Sequence, residues 1–246
     1  MKRQNIRKLF LISAMLLFPI TIYYFSPYLI IQGAIEGIIN GSFIVFLAML
    51  VSSVFLGRVF CGYLCPAGGI QECAMIINGK NPKQGWKNNI KYVIWMVWII
   101  GVITCFIFGK QELTVDFFYM TEHGISISNI QDYIIYYGIV LLFFIPSVAF
   151  GKRIFCHYFC WMAPFMVIGS KLGNLFHIKV LRLDANKDAC INCHVCDKSC
   201  PMSLNVAEKV QIEIMDDKEC ILCGACVDNC PKKVITYKVK KRGKHK

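Results

Sequence analysis

Apolar residues run in long blocks through the first two thirds of this chain, whereas the last third mixes short apolar and polar stretches. A block of about twenty apolar residues is what a helix needs to cross a bilayer. The pattern predicts four such helices: Leu9 to Ile31, Ile38 to Gly57, Ile90 to Gly109 and Tyr133 to Phe150. Pro19, Pro27 and Pro146 lie in or near these blocks, which membrane helices tolerate when neighbours satisfy the freed carbonyls. Tyr23, Tyr24, Tyr28, Tyr92, Tyr133 and Tyr136 stand near block ends, as interfacial aromatics do. The first block follows Lys2, Arg3, Arg7 and Lys8 but is too long for a signal peptide and lacks a clear small-residue cleavage site. A weaker run, Trp161 to Ile178, loses its apolar character at Gly169, Lys171, Gly173 and Asn174. It reads as an interfacial or partly buried helix. The expected organisation is a transmembrane domain, 1–178, followed by a polar domain, 179–246.

Composition strengthens this picture. The chain is 56% hydrophobic and 17% charged, against about 25% charged in ordinary soluble domains. The net charge of +12 does not call for nucleic acid, because the basic residues flank apolar blocks as membrane topology requires. Arg58, Lys80, Lys83, Lys87 and Lys91 follow the second block, and Lys152 and Arg153 follow the fourth. The connection from Ile31 to Ile38 carries only Glu36. The connection from Lys110 to Asp132 carries Glu112, Asp116, Glu122 and Asp132. The positive-inside rule then places both termini and the polar domain in the cytoplasm of a multi-pass membrane protein. In that compartment the 14 cysteines are not expected to be structural disulfides.

The cysteine spacing carries the chemistry. "CINCHVCDKSCP", Cys190 to Pro201, and "CILCGACVDNCP", Cys220 to Pro231, both fit C-x2-C-x2-C-x3-C-P. This spacing suits two [4Fe–4S] clusters, the fourth cysteine of each motif reaching across to the other cluster. The expected ligand sets are Cys190, Cys193, Cys196 and Cys230, and Cys220, Cys223, Cys226 and Cys200. Eight cysteines could also hold two zinc ions, but zinc gives no reason to repeat this spacing with a proline after each fourth cysteine. The tail resembles bacterial-type ferredoxins. That resemblance implies short strands near Ile178 to Leu183 and Val234 to Val239, with helices between the motifs. His194, inside the first motif, reads as a tuning or surface residue.

A second pattern repeats within the apolar part. "GRVFCGYLC" aligns with "KRIFCHYFC", pairing Arg58 with Arg153, Phe60 with Phe155, Cys61 with Cys156, Tyr63 with Tyr158 and Cys65 with Cys160. Two apolar helices precede each copy, which suggests a 2+2 repeat. Residues four apart share a helix face, so each pair can hold two corners of one site at the repeat interface. Three readings are open for Cys61, Cys65, Cys156 and Cys160: a third cluster or metal site, a redox-active dithiol set, or buried cysteines packing as small hydrophobes. Arg58, Lys152 and Arg153 would offset thiolate charge, or serve only as inside-positive residues. His157 could substitute as a ligand or be structural. Cys73 and Cys105 lack matched partners and read as packing residues. The blocks lack facing histidine pairs for b-type haem, and no nucleotide, metalloprotease or hydrolase motif is present.

Two F-C-x3-C motifs after apolar helices, followed by a two-cluster tail, resemble the NapH-type membrane iron–sulfur proteins, related to NosR-like and CcoG-like proteins. The resemblance spans nearly the whole chain. It implies an α-helical membrane protein with a C-terminal α+β two-[4Fe–4S] ferredoxin-like domain, passing electrons between a quinone or quinol and a redox protein partner at the lipid bilayer, as an electron-transfer subunit of a quinol dehydrogenase-type oxidoreductase would. Two other roles stay open: a CcoG-like metal-reducing or oxidase-assembly factor, and an iron–sulfur redox sensor. The family motif is C-x3-C-P. Pro66 keeps it in the first copy, but Trp161 follows Cys160 and proline returns only at Pro164. The segment before Leu9 leaves no room for the large flavin domain of NosR-like proteins.

Overall fold

The computed structural model describes residues 2–82, 85–109 and 112–240. Lys83 and Lys110, both used in the charge reading, and residues 241–246 lie outside the described residues.

The first apolar block is not one continuous helix. Helix α1 (Lys2–Leu16) stops at Leu17, α2 (Phe18–Thr21) and a 3-10 turn (Ile22–Phe25) follow, and α3 (Pro27–Glu36) begins after Ser26. The chain bends by 60° between α1 and the 18–25 segment. The cause is local. Pro19 and Pro27 supply no N–H and stand in the first turns of α2 and α3, and Ser26 caps α3 through the Leu29 amide. The carbonyls freed by the break find new partners: Ile127 N–H donates to Pro19 O and Ser126 N–H to Ile20 O, both at 3.1 Å.

The second block is also shorter than expected. Ile38–Asn40 forms a strand, β1, and α4 (Gly41–Leu56) starts behind the Asn40 cap. At 1.5 Å per residue, a 16-residue helix is about 24 Å long, less than the ~30 Å hydrocarbon core. Two short helices follow, α5 (Val59–Tyr63) and α6 (Pro66–Ala74). The third block forms α7 (Ile90–Phe108); β2 (Thr114–Asp116) then pairs in parallel with β1; the fourth block forms α8 (Asp132–Phe150). By length and apolarity two helices can cross a membrane, Trp86–Phe108 and Asp132–Phe150, or three if the bent pair counts as one span. Their outward faces carry exposed apolar side chains, Val97 and Ile103 on α7 and Ile134 and Ile145 on α8 among them, as lipid-facing helices do.

After α8 come α9 (Ile154–Tyr158) and α10 (Ala163–Leu175). The weak run from Trp161 is thus a 13-residue helix, and it lies closely against α4. Gly169 and Gly173 permit the approach: an added Cβ would stand 2.5 Å from Leu50 O at the first and 2.3 Å from Val54 O at the second. In the same way α6 packs against α8. The helix after each cysteine pair therefore rests on the long helix preceding the other pair.

The tail begins with β3 (Val180–Ala185), continues through α11 (Val195–Ser199), α12 (Val206–Gln211) and α13 (Ala225–Asp228), and closes with β4 (Ile235–Lys240). β3 and β4 are antiparallel, with Leu183 opposite Tyr237. One buried core runs from Phe46 and Met166 among the helices to Met202, Ile221 and Ile235 in the tail. The division at residue 178/179 is a change in sequence character; side-chain packing continues across it.

Candidate functional site

The two tail motifs fold alike. The second and fourth residues after each leading cysteine have left-handed backbone: Asn192 (φ 50°) and His194 (φ 56°) in the first copy, Leu222 (φ 51°) and Gly224 (φ 73°) in the second. Left-handed conformation is unusual for a side chain as large as Leu222 and marks a backbone held by its surroundings. Tyr237 O–H donates to Leu222 O at 2.6 Å, pinning that turn to β4. Alternating backbone hands turn successive N–H groups toward a common point, an arrangement that suits anions.

Two cavities lie inside these turns. One is lined by Cys190, Cys193, Cys196 and Cys230, the other by Cys200, Cys220, Cys223 and Cys226. Each holds three cysteines from one motif and the fourth from the other. Burial pushes the thiols of Cys196 and Cys200 up to about 11 and that of Cys220 to about 12. Such thiols become thiolates only beside a strong positive charge. Four thiol donors around an enclosed cavity with inward backbone donors fit an iron–sulfur cluster. His194 is exposed and its Nδ1 meets Asp197 at 2.7 Å, a surface arrangement.

The membrane-proximal cysteines form a further group. Cys61 lies on α5 and Cys65 caps α6; Cys156 lies on α9 and Cys160 precedes α10. All four are buried. Burial first, then the nearness of Cys61, Cys156 and Cys160, pushes the Cys65 thiol up. Burial first, then Cys156 and Cys61, pushes Cys160 up to about 12. A reactive dithiol needs exposure, and all four of these cysteines are buried. Pro66 and Pro164 both occupy the first turn of the following helix, so the displaced proline serves the same local purpose in each copy. Among the described residues no three His, Cys, Asp or Glu side chains group as closely as a single metal ion requires. That holds for the tail cysteines too, so ion-sized spacing does not distinguish the sites. Cys73 and Cys105 line neither tail cavity.

Several polar residues that the spacing did not single out bind this region together. Gln71, fully buried on α6, donates through Nε2 to Cys156 Sγ at 3.2 Å and accepts from the Phe155 amide at 3.1 Å. Glu72 lies between two buried guanidinium groups, 2.7 Å from Arg7 and 2.6 Å from Arg153. Burial raises its pKa, but Arg153 and Arg7 outweigh that and hold it below the usual carboxylate value. Arg153 also donates to Cys61 O at 2.9 Å. Arg58 and Lys91 converge on Glu219, at 3.3 and 2.5 Å. The matched arginines of the repeat thus have different partners, Arg153 within the helices and Arg58 in the tail. The visible sequence signal was a Gln-Glu pair inside the otherwise apolar stretch after Pro66. His157 is fully buried and neither ring nitrogen has a hydrogen-bond partner. Burial, reinforced by Lys91, Arg58 and Arg153, pushes it down to about 4, so it is neutral at physiological pH.

The loop of the first pair touches the second tail cavity. A Cβ on Gly62 would stand 2.5 Å from Ile221 O and 3.5 Å from Cys223 Cα. Gln4 Nε2 donates to Cys223 O at 3.0 Å, and Arg7 donates to Gly62 O at 3.2 Å. Helix α1 therefore clamps the two loops side by side.

Known proteins agree with this cysteine chemistry. The family described as "4Fe-4S binding domain" matches twice, at residues 41–84 and 134–179, once over each membrane-proximal pair. The "4Fe-4S dicluster domain" matches residues 189–235. An uncharacterized protein of Methanocaldococcus jannaschii is 30% identical over 98% of this chain and 99% of its own length. The putative electron transport protein YccM of Escherichia coli is 21% identical over 89% of this chain and 62% of its own length. The ferredoxin-type protein NapH of Haemophilus influenzae is 23% identical over 77% of this chain and 65% of its own length. No solved structure matches.

Proposed function

This chain belongs to the family of NapH-type 4Fe-4S ferredoxin-like membrane proteins, and on that premise we propose that it carries electrons between a membrane quinone and a redox protein partner. In this reading Cys190, Cys193, Cys196 and Cys230 hold one [4Fe–4S] cluster, and Cys220, Cys223, Cys226 and Cys200 hold the second. Cys61, Cys65, Cys156 and Cys160 hold a third centre where the two repeat halves meet. Both termini and the tail face the cytoplasm. When bound, such centres supply one-electron transfer. Oxidation of one hydroquinone releases two protons and two electrons, and one-electron centres held by these cysteines would accept the electrons one at a time.

The observation that carries the reading is the contact of Gly62 with Ile221 and Cys223. It sets the backbone next to Cys61 against the turn that carries Cys223, which lines the second tail cavity, and in this reading the crossed cysteines Cys200 and Cys230 link that cavity to the first. The chain's own residues hold these segments together. Gly62 allows backbone to meet backbone, the Arg7–Glu72–Arg153 group fixes the loops, and Arg58 and Lys91 hold the segment entering Cys220 through Glu219.

The test is reduction of the purified, cluster-loaded protein in vesicles by an added short-chain hydroquinone, followed by bleaching near 400 nm and by electron paramagnetic resonance. The expected result is quinol-dependent reduction of the tail centres that slows when Cys61 or Cys156 is changed to Ser. Centres that a soluble reductant reduces but no quinol does would overturn the quinone link.

A further inference from the structure

The break in the first apolar block leaves room between α2, α3, α6 and α8. There a cavity of about 500 Å³ is enclosed mainly by apolar side chains, within the ~300–1,000 Å³ range of small-molecule sites. Its inner end is formed by Pro66 and Ala67, directly after Cys65, and by Trp161 and Met162, directly after Cys160. Its opposite end reaches Tyr28, Met120 and Ile135, which are exposed. Ile135 lies on α8, one of the two helices long enough to cross the bilayer, so the open end lies beside an apolar, lipid-facing wall. Two lining residues carry a buried polar atom without a hydrogen-bond partner, Trp161 Nε1 and Gln32 Oε1.

An unpaired buried polar atom is costly, and these two ask for different partners. The Trp161 N–H needs an acceptor. The Gln32 amide offers an acceptor oxygen and, after rotation about its last torsion, a donor. A flat apolar ring with oxygens that accept when oxidised, and both accept and donate when reduced, satisfies both. No charged side chain lines the cavity, which disfavours phosphate or carboxylate ligands. We propose that this cavity is the binding site for the head group of a lipid-soluble quinone or hydroquinone, with Trp161 and Gln32 as its hydrogen-bond partners and the prenyl tail leaving past Tyr28 and Ile135. The site deepens the quinone-linked reading above. It places the ring next to the residues that follow Cys65 and Cys160, the shortest approach to the thiols that the cavity offers.

The test is photolabelling of the full, cluster-loaded chain in nanodiscs with an azido-benzoquinone bearing a short prenyl tail, followed by peptide mapping. Label is expected in the 18–32, 66–67, 135–143 and 161–162 segments, with competition by decyl-benzoquinone and none by excess phospholipid. Gln32→Leu and Trp161→Phe should each weaken competition by about tenfold, the loss of one buried hydrogen bond, with iron content and the absorbance near 400 nm unchanged. Label mapping elsewhere, competition by phospholipid alone, or wild-type binding in both variants that retain full iron would overturn the site. If a variant loses iron, Ile139→Trp, which narrows the cavity from α8, supplies the second measurement: unchanged quinone binding there counts against the site. The two readings fail separately. Labelled cavity peptides without quinol-driven reduction would leave the site and remove the electron route; quinol-driven reduction with label elsewhere would do the reverse.

Discussion

Glu72 is the residue on which the membrane-proximal loops depend most directly. It answers two arginines, Arg7 at 4% exposure and Arg153 at 0%. Removing one partner of a buried ion pair leaves the other charge uncompensated, at a cost of roughly 3–5 kcal/mol. Glu72→Gln should therefore lower the thermal midpoint of the detergent-solubilised protein, read by circular dichroism. The pH dependence has a definite sign. The folded pKa lies below the usual 4.5, so this stabilisation is complete above that value and is lost as pH falls through the folded pKa. The gap between wild type and Glu72→Gln should shrink on acidification below about 4.5; a constant gap would show that the charge is not what matters. A second residue-scale prediction concerns Cys200. It lines the cavity of Cys220, Cys223 and Cys226, so Cys200→Ser should alter the resonance signal of that centre and spare the other. Damage confined to the centre of Cys190 would refute the crossed ligand sets. The eight tail cysteines stand out in sequence because their spacing is local, and in the structure they line two cavities, four to each. Gln71, Glu72, Lys91 and Glu219 do not stand out, because their partners are distant: Arg7 stands 65 positions before Glu72, and Lys91 stands 128 before Glu219.

Among the elements, α10 packs along α4 and follows directly on the second cysteine pair. Gly173 meets Val54 O so closely that any Cβ must displace backbone. Gly173→Val should push α10 away from α4, with an overpacking cost of about 1–3 kcal/mol. Cys160, just before α10, would move with it. If the membrane-proximal cysteines hold an iron centre as proposed, the expected outcome is iron loss there while the iron content associated with the tail motifs is retained. Uniform iron loss from every site would instead indicate general misfolding. Element boundaries were less legible than element existence. Apolar content predicted α7 and α8 well, since a helix buried in lipid needs only an unbroken run. It misjudged the first block, because Pro19 and Pro27 can either bend a span or end it. The outcome depended on Ser126 and Ile127 arriving from another loop to satisfy the freed carbonyls.

At the scale of the whole molecule the ferredoxin-like tail is held against the helices by Arg3–Asp228, Arg58–Glu219 and Lys91–Glu219. The two pairs at Glu219 are buried and Arg3–Asp228 is partly exposed; buried pairs can orient their partners, so tail and helices should behave as a unit. Arg58→Met should slow electron passage from quinol to the tail centres and leave their reduction by dithionite unchanged; equal rates would dissociate the contact from the path. The proposed orientation has its own check. A cysteine introduced at Gly124, in the turn between β2 and α8, should react with an impermeant thiol reagent from outside intact cells, and one at the exposed Lys232 should not. Reaction at Lys232 from outside would reverse the placement of the tail.

What the sequence determined by itself was chemistry and class. Thiol spacing is written in neighbouring residues, and apolar length is a property of a single segment, so cluster-binding capacity and membrane residence could be read before any folding. The tertiary structure decided which sites meet. Gly62 reaches Cys223, Gln71 bridges the repeat halves, and the break at Pro19 opens a cavity beside Trp161. Each of these joins residues far apart in the chain, and such contacts exist only once helices have packed and buried polar groups have found their partners.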